Sequence, residues 1–242
     1  MRIIINGAGG RMGKALAAMI EKNSRNACVA AAVDPFVEGM LPALADFQGE
    51  ADCIIDFSNH AGTESLLNYA TEKGLPVVVC TTGHTQEELA LIRAAGEKIP
   101  VFHSGNMSLG IAVLTKLARQ AAAMFPDADI EIVESHHNQK LDVPSGTALM
   151  LAKAVQDARP ESFLLVGRHE NGKRTKEEIG IHSLRMGNTV GIHEVIINTG
   201  TQIITLKHEA QDRSLFAEGA LSAAAFLLEK EPGVYNMDDI VK

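Results

Sequence analysis

The sequence predicts an α/β chain in two parts: a parallel, doubly wound sheet with helical crossovers, then a smaller α+β part whose mixed sheet is largely antiparallel. Three observations predict it. Short β-branched runs alternate with helical patterns through the N-terminal part, a glycine-rich loop joins the first run to the first helix, and from Phe163 onward the segments turn strand-like with hairpin signals between them.

Length and composition bound the rest. At 242 residues and 46% hydrophobic content the chain suits one large or two small domains with a sizeable core. A formal charge of −8 argues against nucleic acid or an anionic membrane as the main partner, so an anion site must be a local basic patch. Tryptophan is absent and aromatics are 4%, which disfavours base-stacking surfaces. No apolar run reaches the length of a membrane span, and Met1-Arg2-Ile3-Ile4-Ile5-Asn6-Gly7 is too short for a secretory apolar region, so a cytoplasmic protein is expected. Cys28, Cys53 and Cys80 are widely spaced, each in or beside a strand-like run, and are expected to be buried free thiols.

Taken in order, Arg2-Ile3-Ile4-Ile5-Asn6 reads as a strand, Gly7-Ala8-Gly9-Gly10-Arg11-Met12-Gly13 as a glycine loop, and residues 14–20 as a helical pattern. Glycines let a backbone approach a pyrophosphate, and the following helix start offers N–H groups to it, as in a Rossmann-like dinucleotide-binding domain. The strict G-x-G-x-x-G spacing would put its third glycine at Met12; it arrives at Gly13. Val29-Ala30-Ala31-Ala32-Val33 is the second strand and ends at Asp34, 21 residues past Gly13, where an acid can hold ribose hydroxyls. Pro35 stands where an arginine would help accept a 2′-phosphate, which favours NADH over NADPH, although Arg11 could reach such a phosphate.

Cys53-Ile54-Ile55-Asp56-Phe57, Pro76-Val77-Val78-Val79-Cys80 and Val101-Phe102-His103 continue the strands, with helices over 61–73 and 86–98 between them. Ligands of such sheets lie at the carboxyl ends of the strands, where this chain carries Asp56-Phe57-Ser58, Cys80-Thr81-Thr82-Gly83 and Ser104-Gly105-Asn106-Met107. A helix over 109–125 leads to the strand Ile130-Glu131-Ile132-Val133-Glu134. After a helix running to about Ala158 come strands at Phe163-Leu164-Leu165-Val166, Ile179-Gly180-Ile181-His182-Ser183-Leu184-Arg185, 190–198 and 202–208, with Met186-Gly187-Asn188 and Thr199-Gly200 as hairpin signals. Residues 1–107 and 215–242 are expected to form the dinucleotide-binding domain, the last helix packing back on it, and 108–214 a substrate-binding and oligomerisation domain. One or two helices cover one face of a sheet, so the other face should meet a partner subunit.

The densest chemistry lies in Glu134-Ser135-His136-His137-Asn138-Gln139-Lys140-Leu141-Asp142-Val143-Pro144-Ser145-Gly146-Thr147-Ala148, where five ionisable residues fall within nine positions before a helix start. Ser145 can cap that helix, and its first N–H groups with Lys140 and a histidine could hold an anion while a second histidine moves a proton.

The glycine loop together with this E-x-H-H-x-x-K-x-D-x-P-S-G-T-A segment resembles the 4-hydroxy-tetrahydrodipicolinate reductases, also called dihydrodipicolinate reductases, and the resemblance spans essentially the whole chain. It implies nicotinamide-dependent reduction of a cyclic dicarboxylate on the diaminopimelate route to lysine. By position it implies an acid/base role for His136, a proton-donating role for Lys140, and substrate binding by His137, Lys140, Gly146 and Thr147. It also implies cofactor contacts at Gly7, Ala8, Gly9, Gly10, Arg11, Met12, Asp34, Cys80, Thr81, Thr82, Ser104, Gly105, Asn106 and Met107, and a homotetramer joined through the substrate-domain sheets. Pro35 departs from a basic residue frequent in relatives, and Met186 from a glycine, which leaves cofactor preference and one turn open.

Three rivals stand beside this reading. His136, His137 and Asp142 could be metal ligands, but neighbouring residues of an extended strand point to opposite faces, so the two histidines cannot readily share an ion. Another amino-acid or homoserine-type dehydrogenase would share the glycine loop but not the His-His-x-x-Lys to Pro-Ser-Gly-Thr segment. A dinucleotide-sensing regulator would bind cofactor without turning substrate over.

Overall fold

The computed structural model describes residues 1–22 and 24–241; Asn23 and Lys242, both inside the first predicted domain, lie outside the described residues. In chain order the elements are β1 (Arg2–Asn6), α1 (Arg11–Glu21), β2 (Cys28–Val33), β3 (Cys53–Asp56), α2 (Thr63–Lys73), β4 (Val77–Val79), α3 (Gln86–Gly96), β5 (Pro100–His103), α4 (Leu109–Met124), β6 (Asp129–His136), α5 (Gly146–Ala158), β7 (Phe163–Val166), β8 (Glu178–Arg185), β9 (Gly191–Asn198), β10 (Ile203–Ala210), α6 (Ser214–Leu227), β11 (Gly233–Tyr235) and α7 (Met237–Ile240). Among the described residues no helix is long and apolar enough to cross a membrane. The chain divides into two compact units, Met1–Ser108 with Arg213–Lys242, and Leu109–Asp212.

The first unit is a six-stranded sheet in the order β11-β5-β4-β3-β1-β2, parallel at every pairing. Continuous β-branched runs suit central strands covered on both faces, and β3 and β4 bury every residue. Leu66, Leu67 and Ala70 of α2 and Ile92 and Ala95 of α3 pack on Ile4, Ile54, Val77, Val79 and Val101. The long helix α6 packs against α1, β3, β4 and β5. Local chemistry sets the helix ends: Thr85 and Glu88 close a capping box at the start of α3, and Gly74, at φ +64°, terminates α2.

One expectation changes here, and one strand is added. Cys28 is exposed, because β2 is an edge strand and Cys28 is its first residue; only Cys53 and Cys80 are buried. The strand β11 was invisible to periodicity at three residues. It adds beside β5, and α3 stops at Gly96, where a Cβ would lie 2.4 Å from the Val234 Cγ2 of β11.

The second unit is a five-stranded sheet in the order β10-β9-β6-β8-β7. Helices α4 and α5 cover one face, with Leu114, Ala118, Leu151 and Val155 against Ile130, Ile132, Ile179, Ile181, Val195 and Ile197. The expected run of hairpins is half right. β9 and β10 pair antiparallel across Thr199-Gly200, but β6 lies between β8 and β9, parallel to the first and antiparallel to the second, and β7 is parallel to β8. The sheet therefore has two parallel and two antiparallel pairings rather than a largely antiparallel set. A turn signal reports a reversal of direction, not which strand becomes the neighbour. Here the turn bonds to the end of β6, with the Met186 amide donating to His136 O (2.9 Å) and the Asn138 amide to Gly187 O (3.2 Å).

Close approach of α6 to the loop after β5 depends on Gly219, where a Cβ would fall 1.6 Å from the Met107 carbonyl oxygen. Gly219→Ala is expected to destabilise the chain by about 1–3 kcal/mol through overpacking. Gly62→Ala, whose Cβ would meet only the Ser58 Oγ at 4.0 Å, serves as the comparison and should leave the thermal midpoint nearly unchanged. Differential scanning calorimetry of the two variants checks this; equal midpoints would remove the role given to Gly219.

Candidate active site

In the first unit the glycine loop is shaped by what glycine lacks. Gly7 takes φ +78°, its amide donates to Val33 O at 2.9 Å, and a Cβ would lie 2.7 Å from the Phe57 carbonyl. A Cβ at Gly13 would lie 2.3 Å from Gly7 O, so Gly13 gives the tight helix-to-turn contact although it comes one residue after the strict spacing. Gly10 is the N-cap of α1 with no side-chain cap, which leaves the first-turn N–H groups for an anion. Asp34 Oδ2 accepts from the Gly9 amide and Oδ1 from the Phe36 amide, each at 3.0 Å, so this carboxylate braces the loop.

Gly7, Gly10, Asp34, Phe36, Leu44 and Tyr69 help line a cavity of about 530 Å³, and none of its lining residues is Lys, Arg or His. A second hollow of about 420 Å³ gathers Gly10, Arg11, Met12, Cys80, Thr81 and Thr82, and a third of about 220 Å³ joins Met12, Cys80 and Thr82 to Ser104, Gly105, Asn106 and Met107. Ala8 and Gly9 do not line these walls: Ala8 is buried with its amide on Val33 O (3.1 Å), and a Cβ on Gly9 would strike Val37. The cradle fits a dinucleotide: a helix start without a side-chain cap, an acid on a neutral-walled cavity, and adjoining hollows at the strand ends.

Asp56, expected from sequence only as part of a strand-end loop lining the ligand site, ties these loops together. Its buried carboxylate accepts from Asn6 Nδ2 (2.8 Å), Ser58 Oγ (2.6 Å) and Thr81 Oγ1 (2.6 Å). Burial, then the nearby Asp56 charge, push the Cys80 thiol well above its ordinary range, so it stays protonated against the hollow it lines.

In the second unit, strand alternation builds the site. Ile130, Ile132, Glu134 and His136 share one face of β6; in register beside them are Ile179, Ile181, Ser183 and Arg185 of β8, and Ile197, Val195 and His193 of β9. All three strands pass from core to polar residues at the same end. The structure carries β6 through to His136, beyond the expected end at Glu134.

Glu134 is fully buried. Oε2 accepts from Arg185 Nη1 (2.9 Å) and faces His136 Nδ1 at 2.5 Å; Oε1 accepts from Arg185 Nη2 (2.9 Å) and the Ser145 amide (3.2 Å). Burial alone would raise this carboxyl, but hydrogen bonds from Arg185, from the Ser183 hydroxyl beside it on β8 and from His136, with the Ser145 amide, outweigh it and bring the pKa down to about 2. Burial lowers the His136 pKa against the opposing pull of Glu134, so His136 is neutral near pH 7. Burial, then neighbouring His136, lowers His193 to about 4; its ring stands edge-on to that of His136, centroids 5.1 Å apart, and its Nε2 is 3.3 Å from Ser145 Oγ.

Ser145 caps α5 as expected, its Oγ accepting from the Ala148 amide at 3.2 Å. Gly146 opens the first turn into free space, with Thr147 half-buried beside it. Lys140 Nζ pairs with Asp142 Oδ1 at 2.8 Å, and His137 is half-buried with its carbonyl accepting from the Lys140 amide. Arg185 also donates to Asp142 O (2.7 Å), fastening this loop to β8. His136, Lys140 and the start of α5 thus belong to one cluster. Sequence reasoning gave no role to Glu134, Arg185 or His193; their signal was the period-two alternation that puts each on the face of buried isoleucines and valines.

Comparison with known proteins agrees across the chain. The family described as "Dihydrodipicolinate reductase, N-terminus" matches residues 1–107, and "Dihydrodipicolinate reductase, C-terminus" matches 110–241. The chain is 44% identical to the 4-hydroxy-tetrahydrodipicolinate reductase of Caldanaerobacter subterraneus subsp. tengcongensis, covering 100% of this chain and 98% of that one. It is 43% identical to the Clostridium tetani enzyme of that name, covering 98% and 96%. Among solved structures, dipicolinate-bound dihydrodipicolinate reductase from Paenisporosarcina sp. TG-14 superposes with a TM-score of 0.79 at 26% identity over 99% of both chains. A probable dehydrogenase from Thermotoga maritima, at TM-score 0.65 and 10% identity over 99% of this chain and 92% of that one, shares the fold. On two family matches that together take in nearly every residue, the chain belongs to the dihydrodipicolinate reductase family.

Proposed function

We propose that this chain reduces 4-hydroxy-tetrahydrodipicolinate to tetrahydrodipicolinate with a reduced nicotinamide dinucleotide, on the diaminopimelate route to lysine. The observation that carries this reading is the buried His136, braced by Glu134 and clustered with Lys140 and the open first turn of α5. The substrate is a cyclic dicarboxylate with a conjugated carbon–nitrogen unsaturation. An enzyme must neutralise its carboxylates and supply a proton to match the hydride.

Lys140 and the first-turn N–H groups at Gly146 and Thr147, with His137 beside them, suit a carboxylate. Lys140 already holds one carboxylate, Asp142, and binding substrate would exchange that partner for another. His136 is the acid/base group, and Lys140 the second proton source; loss of the 4-hydroxyl as water calls on the same acids. The cofactor supplies hydride when bound, and Gly7, Gly10, Arg11, Met12, Asp34, Thr81, Thr82 and the Ser104 to Met107 loop would hold it. Ala8 and Gly9 serve it by keeping the loop in shape.

NADH is the preferred cofactor in this reading. Asp34 lines the large cavity and no cationic side chain does, so a 2′-phosphate there would face a carboxylate without compensation. Arg11 lines the second hollow instead. A homotetramer through the second sheet is supported by its helix-free face, where Val133, Leu184, Ile192, Ile196 and Ile203 are half-buried to exposed.

Supplying freshly made product of dihydrodipicolinate synthase and following 340-nm absorbance tests the reaction; no oxidation of NADH or NADPH would refute it. His136→Ala and Lys140→Ala should each lower turnover by about 10²- to 10⁴-fold, and near-native turnover in both would sink the assignment. A rise confined to KM in Lys140→Ala would mark that residue as a carboxylate holder rather than an acid. The KM for NADPH should exceed that for NADH by roughly tenfold or more, a difference of about 1.4 kcal/mol; equal values would overturn the role given to Asp34. Light scattering during size-exclusion chromatography should give four times the 25.9 kDa chain mass, and a monomer would exclude the sheet interface.

A further inference from the structure

The acid/base role of His136 leaves unused the buried carboxylate behind it. Resting on the reductase reading, we propose that Glu134 is a positioning residue, held as a carboxylate by Arg185, that fixes His136 as the Nδ1–H form so that Nε2 alone exchanges the proton of the reaction.

Hydrogen-bond accounting carries the argument. An ionised carboxylate accepts at about four lone-pair sites and donates none. Arg185 and the Ser145 amide take three of Glu134's sites as donors, and neither can accept in return; the Ser183 hydroxyl, beside Glu134 in register on β8, is a further donor within reach. The fourth faces His136 Nδ1 at 2.5 Å, so the hydrogen there belongs to Nδ1. Nε2 makes no hydrogen bond among the described residues, and Gly191 keeps its side clear: a Cβ at 191 would lie 3.2 Å from Nε2.

The surroundings leave His136 free to change charge. From its own strand it faces Glu134, from β8 Arg185, from β9 His193 and from the following loop Lys140; at the start of α5 the Ser145 amide meets Glu134 and its hydroxyl meets His193. Glu134 and Arg185 cancel, and His193 is buried and neutral. When a protonated His136 gives its Nε2 proton to the substrate atom that must gain one, the Nδ1–H stays on Glu134, the imidazole returns to neutral, and solvent replaces the proton. Glu134 itself neither gains nor loses one.

Glu134→Gln is the test. A Gln amide nitrogen placed at the Oε1 position would oppose two donors, Arg185 and Ser145; at the Oε2 position it opposes one and turns His136 Nδ1 into an acceptor. The second arrangement is preferred, and the hydrogen moves to Nε2. Long-range proton–nitrogen correlation spectra of the ¹⁵N-histidine-labelled full chain at neutral pH should show Nδ1–H with bare Nε2 in the wild type and the reverse, or a mixture, in the variant. Turnover should fall about 10- to 100-fold with substrate KM within about threefold.

Losing the carboxylate also lowers the His136 pKa, so activity that needs its protonated form should fail at lower pH, moving the basic limb of the kcat profile down. If Glu134→Gln does not fold, Glu134→Gln with Arg185→Gln removes the stranded guanidinium and takes the same measurements. A wild-type Nε2–H, or an unchanged tautomer and pH profile in the folded variant, overturns the proposal. Because the spectra need no substrate, a failure there is distinct from failure of the wild type to oxidise NADH, which would overturn the reductase reading instead.

Discussion

One buried carboxylate, Glu134, organises the second unit. A lone ionised carboxyl away from water is untenable, and this one is retained because donors reach it from its own strand, from Arg185 on β8 and from Ser145 at the start of α5. The donors come from three elements, so satisfying the charge sets the register of β6 on β8 and the place where α5 begins. Removing one partner of such a buried pair costs about 3–5 kcal/mol in comparable cases. The same contacts that hold the fold here also hold the imidazole.

Asp56 repeats the device in the first unit with neutral donors. Asn6 on β1, Ser58 just past β3 and Thr81 after β4 converge on it, joining three loops that carry candidate cofactor contacts. In both units the carboxylate stands at the carboxyl end of a strand, at the point where an apolar face gives way to a polar one. The chemical difference follows from the partner: a guanidinium holds Glu134 charged and leaves an imidazole poised beside it, whereas hydroxyls and an amide around Asp56 only position loops.

Local charge therefore matters more than the overall −8. Around the second cluster, Arg185 is spent on Glu134, so the positive character left for an anionic substrate lies with Lys140 and the α5 N-terminus. Around the large cavity of the first unit there is none, and Asp34 is the charge that a cofactor's ribose would meet.

Sequence alone determined a good deal. The strand-glycine-helix start, the parallel strands of the first part, the Ser145 cap and the segment from His136 to Thr147 were all legible, because each depends on residues adjacent in the chain or on the alternation of element periods. Tertiary structure decided the rest. That β6 enters between β8 and β9 could not be read from a turn signal at Met186-Gly187-Asn188, since pairing partners are chosen by burial across the whole sheet. Nor could the convergence of Arg185 and His193 on Glu134 and His136, 51 residues apart in chain for the Arg185–Glu134 bond, be seen before the register was known. A sequence states which groups can ionise; which of them are buried together, and so which must share a proton or a charge, is fixed only when distant strands align.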